Sequence, residues 1–268
     1  MDHTQGMLQG KNIVIIGGTS GIGLSAAQAF LEQGAHVVVT GLDEASCVRA
    51  EAEFQGRGWS LCLDARVEGT AQLAIEKCVA ECGSFDGLFH VAGGSGRKWG
   101  DGPLHELSLK GWKKTLDLNL TSVMLSNQAA VQHFLAHQTP GSILNVSSVL
   151  GYSPAPRFFY THAYTAAKAA IIGLSQSLAS YYAAHNIRIN VLAPALVLTE
   201  MSQRAQENEE IMHYIHSKQP LDGGRIGQPE DLNQLACYFL SDHARFTTGQ
   251  VISVDGGWAV SEGQWKEK

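Results

Sequence analysis

The chain has little of what marks membrane, secreted or polyanion-binding proteins. No apolar run in its 268 residues reaches the roughly 18 that cross a bilayer, and the apolar block Ile13–Ile16 is only strand-length. Positive charge is scarce: 19 Lys and Arg stand against 25 Asp and Glu, a formal net charge of −6. With no basic stripe or run, neither nucleic acid nor a membrane surface is expected as a partner. The opening MDHTQGMLQGK has no basic start followed by a long apolar stretch, so no secretory signal is read there. The cysteines are Cys47, Cys62, Cys78, Cys82 and Cys237. Cys78 and Cys82 have a conceivable ligand spacing but no adjacent His or second pair, so they are read as reduced thiols and no metal site is expected. A cytoplasmic setting follows from these readings. Internal repeats and low-complexity tracts are also lacking.

What is present alternates. Short blocks of Val, Ile and Leu are read as strands at Asn12–Ile16, His36–Thr40, Trp59–Leu63, Gly87–Val91, Ser142–Ser147, Arg188–Leu192 and Gln250–Val254. Helical apolar spacing is read at Gly23–Gln33, Glu44–Phe54, Val67–Glu81, Leu109–His137, Thr161–His185, Glu200–His216 and Pro229–Leu240. Near-continuous apolar strands suit a sheet covered on both faces. The expected fold is therefore α/β: a doubly wound, mostly parallel, seven-stranded Rossmann-type sheet with helices on both faces, as one domain over residues 1–268. Ligands in such sheets bind beyond the carboxyl ends of the strands. The loops GGSGRKWGDGP (Gly93–Pro103) and GYSPAPRFFY (Gly151–Tyr160) should border the site.

Two stretches carry chemistry. The first strand runs into Gly17-Gly18-Thr19-Ser20-Gly21-Ile22-Gly23 and then a helix. Glycines permit the tight turn, and a helix N-terminus presents unpaired N–H groups to a phosphate. The second stretch is YTHAYTAAK, Tyr160–Lys168. A phenol with a pKa of about 10 is a poor acid or base at neutral pH, but an ammonium one helical turn away favours phenolate. Tyr164 has Lys168 four residues on, whereas Tyr160 has only Tyr164.

In order and placement these segments resemble the short-chain dehydrogenase/reductase family over nearly the whole chain. The glycine loop is similar to T-G-x-x-x-G-x-G, with Ile16 for Thr. HVAGG matches the end of N-N-A-G, with His90 and Val91 for the asparagines, which puts asparagine-based bracing there in doubt. LDLNL, NVSSVLG and YTAAK match the catalytic positions, Pro194-Ala195 through Thr199 resembles P-G-x-x-x-T, and Asp255-Gly256-Gly257 matches a C-terminal D-G-G. The resemblance implies an oxidoreductase interconverting a secondary alcohol and a ketone with NAD or NADP. Tyr164 would be the acid/base. Lys168 would support it and bind the nicotinamide ribose, Ser148 would bond the substrate oxygen, and Asn119 would hold a water linking Lys168 to solvent. The cofactor would lie on Gly17, Thr19, Ser20, Gly21, Ile22, Gly23, Asp64 (at the adenine), Ala65, Ala92, Gly93, Tyr164, Lys168, Pro194, Val197 and Thr199. Ser147 remains a rival to Ser148, and Tyr160, nearer to Ser148 in sequence, a rival to Tyr164.

The second strand ends VVVTGLDEAS, with Gly41 where an acid would select NAD and Asp43 two residues late as a helix cap. Without a local Arg or Lys for an extra phosphate, the expectation leans slightly to NAD. Trp99, Phe158, Phe159, Tyr160, Met201 and Met212 offer apolar surface to a small-molecule carbonyl or alcohol substrate. Arg97, Lys98 and Arg157 are read as solvated charges. A mobile lid is expected near residues 196–217. Small residues on several faces of the two longest helices, together with the resemblance, imply a homotetramer. A non-catalytic dinucleotide sensor on the same fold and a methyltransferase are the rival readings; the Asn119, Ser148, Tyr164 and Lys168 set argues against both.

Overall fold

A computed structural model describes residues 6–263; part of the segment read for a secretory signal, residues 1–5, lies outside them. The seven strands are β1 (Asn12–Ile16), β2 (His36–Gly41), β3 (Gly58–Cys62), β4 (Gly87–His90), β5 (Gly141–Val146), β6 (Ile187–Pro194) and β7 (Val251–Val254). They form one sheet in the order β3-β2-β1-β4-β5-β6-β7, every pair parallel. The two-residue alternation of a strand divides the core. Ile13, Ile15, Val37, Val39, Leu144 and Val146 point into one cluster, and Val14, Ile16, Val38 and Ile143 into the other. Helix α1 (Gly21–Glu32) and helix α9 (Asn233–Leu240) supply apolar residues to the first cluster. Helices α3 (Thr70–Cys82), α5 (Ser122–His137) and α6 (His162–Tyr182) supply the second. The chain reverses its direction of winding between β1 and β4, which opens a crevice at their carboxyl ends.

Helix α2 (Glu44–Glu53) lies against β3. The helix read from Val67 begins at Thr70, because Gly69 is left-handed at φ 86° and the preceding residues cannot join the helix. The helix read over Leu109–His137 is interrupted. Helix α4 (Leu109–Leu116) gives way at Asp117–Thr121 to one wide π-helical turn before α5. There the Asn119 amide donates to the Thr115 carbonyl and the Ser122 hydroxyl to the Leu118 carbonyl, drawing backbone acceptors out of the regular ladder.

The segment read as one helix over Glu200–His216 is three pieces: a turn at Glu200–Ser202, α7 (Gln203–Gln206) and α8 (Glu209–Lys218). Asn208 breaks them apart by capping α8 with its side chain. Ala205, Ile211 and Ile215 of this segment are buried in a third cluster with Val149, Ala155 and Trp258. Asp255 seats that tryptophan by accepting from the Gly257 and Ala259 N–H groups.

Candidate active site

The glycine loop follows β1 and is fixed before any ligand arrives. Gly17 and Gly18 donate to the Thr40 carbonyl. Gly17 is left-handed at φ 86°, and a Cβ there would lie 2.7 Å from the Ala92 nitrogen. A Cβ on Gly23 would collide with the Gly17 carbonyl. These positions form a cradle that side chains would fill. Ser20, the N-cap of α1, makes no side-chain cap bond, and the first turn holds no acidic residue. Open N–H groups at a positive helix end suit a diphosphate. Thr199 closes the cradle from the β6 side, its Cγ2 lying 3.0 Å from a Cβ built on Gly21. Ala92 and Gly93 follow β4, Pro194 ends β6 and buried Val197 follows it, so the predicted binding residues around the crevice converge. These residues fit a dinucleotide.

Toward the adenine side the structure adds detail. The Asp64 carboxylate is held by the Arg66 guanidinium, at 2.6 Å from Nη2, which pulls the carboxyl below its ordinary pKa. Ala65 follows it, half-buried against the second cluster. A Cβ on Gly41 would run into Thr19, so no acidic side chain fits there. Asp43 accepts from the Ser46 N–H at 2.7 Å and caps α2.

The reacting end is built by β5 and α6. Ser147 and Ser148 follow β5 in extended backbone and point opposite ways. Ser147 is spent on the Lys168 carbonyl at 2.6 Å, whereas the Ser148 hydroxyl accepts from the Leu150 N–H at 3.2 Å, reaches the Pro194 carbonyl only at 3.5 Å, and lies near enough to the Tyr164 phenol to favour its phenolate. The geometry thus favours the second serine. Lys168, buried one turn after Tyr164, donates from Nζ to the Val146 carbonyl at 2.9 Å and sits 5.6 Å from the Tyr164 ring centre. Burial pulls its pKa down to about 8. The Tyr164 ring keeps some exposure, but burial pushes its hydroxyl up to about 12, against the opposing influence of the nearby Ser148 hydroxyl. The expected lowering by Lys168 is not seen: desolvation sets the direction, and only Ser148 opposes it.

Asn119 is a latch. Its Oδ1 accepts from the Gly94 N–H at 3.0 Å, and its amide donates to the Gly94 and Thr115 carbonyls at 2.9 Å each. Both amide hydrogens are used, leaving only Oδ1 with capacity for a water. Oδ1 and Lys168 Nζ flank Gly93, at 2.9 and 3.3 Å from a Cβ built there. Tyr160 stands outside, 39% exposed, with the Arg97 guanidinium 5.1 Å from its ring.

His90 supplies the bracing that the missing asparagines left open. Its Nε2–H donates to the Ala92 carbonyl at 3.1 Å, and Nδ1 faces the Ser126 hydroxyl at 2.7 Å. Burial, aided by the Lys168 charge, pulls its pKa down to about 3. The folded protein refuses a proton that the unfolded chain accepts below about pH 6.5, so stability falls as the pH drops from there toward 3. Replacing His90 with Asn should flatten that slope in urea unfolding at stepped pH; an unchanged slope would contradict the assignment.

Asp101 was not legible as a site residue. It is buried, and its carboxylate accepts from the Ala163 and Tyr164 N–H groups at 2.9 Å each. It caps α6 across more than sixty residues, in place of Thr161, which makes no side-chain cap bond. No local motif signals this; only the acid in a glycine-rich loop hints at it. Asp101→Ala should lower stability by about 2 kcal/mol and reduce kcat, because the first turn of α6 carries Tyr164. Denaturation midpoints and initial rates check this, and an unaltered kcat would refute the link to Tyr164.

Among the described residues no group of three His, Cys, Asp or Glu could hold a metal, and no helix is long and apolar enough to cross a membrane. Residues 17–259 match the family described as Enoyl-(Acyl carrier protein) reductase. The chain belongs to the short-chain dehydrogenase/reductase family. It is 32% identical over 254 residues to 2,5-dichloro-2,5-cyclohexadiene-1,4-diol dehydrogenase of Sphingobium indicum, covering 94% of this chain and 98% of that protein. A short-chain type dehydrogenase/reductase from Mycobacterium ulcerans superposes with a TM-score of 0.87 at 28% identity, covering 94% of this chain and 91% of that one. A 3-ketoacyl-(acyl-carrier-protein) reductase from Brucella melitensis, solved with NADH, gives 0.83 at 25%, covering 94% and 100%. This short-chain dehydrogenase/reductase is an oxidoreductase acting between alcohol and carbonyl groups with a nicotinamide cofactor.

Proposed function

We propose that Tyr164 is the proton donor when this enzyme reduces a ketone and the proton acceptor when it oxidises a secondary alcohol. The observation that carries this reading is the buried Lys168 ammonium, one turn after Tyr164 and 5.6 Å from its ring centre, with the Ser148 hydroxyl beside the phenol. The bound nicotinamide supplies or accepts the hydride. Ser148 holds the carbonyl oxygen, Tyr164 delivers the proton to it as charge develops, and Lys168 stabilises the phenolate left by that transfer until a proton returns. Asn119 positions the β4 loop against α4 and α5 through its bonds to Gly94 and Thr115. The residues named above around the glycine loop, Asp64, Ala92–Gly93 and Pro194–Thr199 would hold the cofactor. NAD is favoured over NADP: no basic side chain occupies Gly41–Asp43, Asp43 caps α2, and Arg66 is engaged by Asp64.

Residues 196–217 would act as a lid over a small-molecule substrate, hinged outside the part anchored by Ile211 and Ile215. A homotetramer in the cytoplasm is the proposed working form. Met124 and Leu135 on α5, Tyr181 on α6, and Phe246 and Ile252 near the β7 edge are exposed apolar residues available for such contacts. One panel experiment tests the reading: ketones and secondary alcohols are offered with each cofactor, with dissociation constants for both and sedimentation alongside. Turnover, tighter NAD(H) binding and a mass four times 28.8 kDa are expected. Tight cofactor binding without turnover across the panel, tighter NADPH binding, or a monomer would each contradict the corresponding part.

A further inference from the structure

Three loops meet at one backbone oxygen. The Phe158 carbonyl, in the loop after β5, accepts from Arg97 Nη2 at 3.0 Å and from Arg204 Nη2 at 3.4 Å. Arg97 belongs to the loop after β4, and Arg204 lies on α7 after β6. Two guanidiniums thus converge in a protein whose net charge is −6. Among the described residues neither forms an ion pair. Glu200, four residues before Arg204, forms an ion pair with neither arginine among the described residues, and three other acids of these segments are committed elsewhere. Asp101 caps α6, Glu207 accepts from Gln203, and Glu210 faces Arg157 at 3.4 Å. Arg157, immediately before Phe158 in the same aromatic loop, has its acid; Arg97 and Arg204 share only a neutral carbonyl. Each guanidinium has five N–H donors, so the shared carbonyl leaves most of their capacity unused.

The place also matters. The adenine half of a dinucleotide runs from the glycine loop toward β2 and β3. Arg97 and Arg204 lie on the opposite side, beside Tyr160 and the entrance of α6, where the substrate must reach Tyr164. We propose that Arg97 and Arg204 form a subsite for a carboxylate carried by the substrate, so that the enzyme acts on hydroxy and oxo acids. A planar carboxylate matches the guanidinium fork, and two converging forks would fix the substrate at a set distance from Tyr164. The proposal departs from the expectation that Arg97 is a solvated charge. The inference rests on the proposed oxidoreductase reading for the identity of the occupant.

The test uses the whole enzyme saturated with oxidised nicotinamide, so that an oxo compound binds and no hydride moves. Acetoacetate, levulinate and the para-oxo acid of cyclohexane are titrated by calorimetry, each beside its methyl ester. At least one acid is expected to bind about 10- to 100-fold more tightly than its ester, the range of charge-assisted hydrogen bonds. In Arg97→Gln and Arg204→Gln that preference should shrink to about threefold or less, whereas Arg157→Gln should keep it. Equal binding of acids and esters, absence of binding by every acid, or a preference that survives in the Arg97 and Arg204 variants would overturn the proposal. Proton transfer plays no part in this measurement. Failure of Tyr164 as the acid would leave the acid preference in place, and failure of the arginine pair would leave ester turnover in place.

Discussion

Replacing Tyr164 with Phe is expected to lower turnover by about 10²- to 10⁴-fold, the range for a positioned general acid, while cofactor binding survives. Phe keeps the ring and its packing on α6 and removes only the hydroxyl beside Ser148. With its pKa pushed up to about 12 by burial, that phenol is protonated across the neutral range. It is therefore ready to donate to the oxygen of a ketone as hydride arrives. Oxidation runs the other way and needs phenolate, so it should rise with pH more steeply than reduction. Tyr160→Phe should retain activity, because the exposed Tyr160 contacts Arg97 and not the Ser148 pair. Initial rates and a cofactor titration on both variants decide it; retained activity in Tyr164→Phe with loss in Tyr160→Phe would reverse the assignment.

Lys168→Met carries the second large effect. Methionine fills a similar volume without charge, so the packing change is small and the ammonium is removed. The Val146 carbonyl loses its donor, and the phenolate form of Tyr164 loses its positive neighbour. A fall in kcat of about 10²-fold is expected, with weaker cofactor binding. The pH profile provides a sharper signature. Lys168 sheds its proton near pH 8, where burial has placed its pKa, so wild-type activity should break there and the variant should not. Stability moves in step. Between about 8 and the ordinary value of 10.5 the unfolded chain holds a proton that the folded protein has lost, so stability rises with pH across that window. Lys168→Met should lose the rise; an unchanged slope would contradict the buried-lysine account.

Much of this was legible because it is local. The β-branched blocks marked seven strands to within two residues, since the inner strands lie between helices that bury both their faces, and only the edge strands β3 and β7 are partly open. The glycine loop, the serine after β5 and the Tyr–Lys pair have fixed spacings inside single elements. What escaped depends on contacts distant in sequence. The wide turn at Asn119 arises from its bonds to Gly94 and Thr115, and no periodicity reveals that. Asp101 and Arg204 gained their roles only when the loops after β4 and β6 folded over α6 and Phe158. His90 read as a loss of bracing, because an imidazole that takes over asparagine's bonds leaves no pattern in one sequence. The Tyr164 pKa went against expectation for a related reason: burial is a property of the whole fold.

The most direct measurement follows the hydride. Any ketone turned over in the panel is reduced with nicotinamide carrying deuterium at the transferable position, and the product is read by mass spectrometry. The account predicts one deuterium at the carbinol carbon, with the hydroxyl proton drawn from solvent through Tyr164, and transfer slowed by about 10²-fold or more in Tyr164→Phe. Product alcohol without the label, or labelled product formed equally fast by the Tyr164→Phe variant, would contradict it.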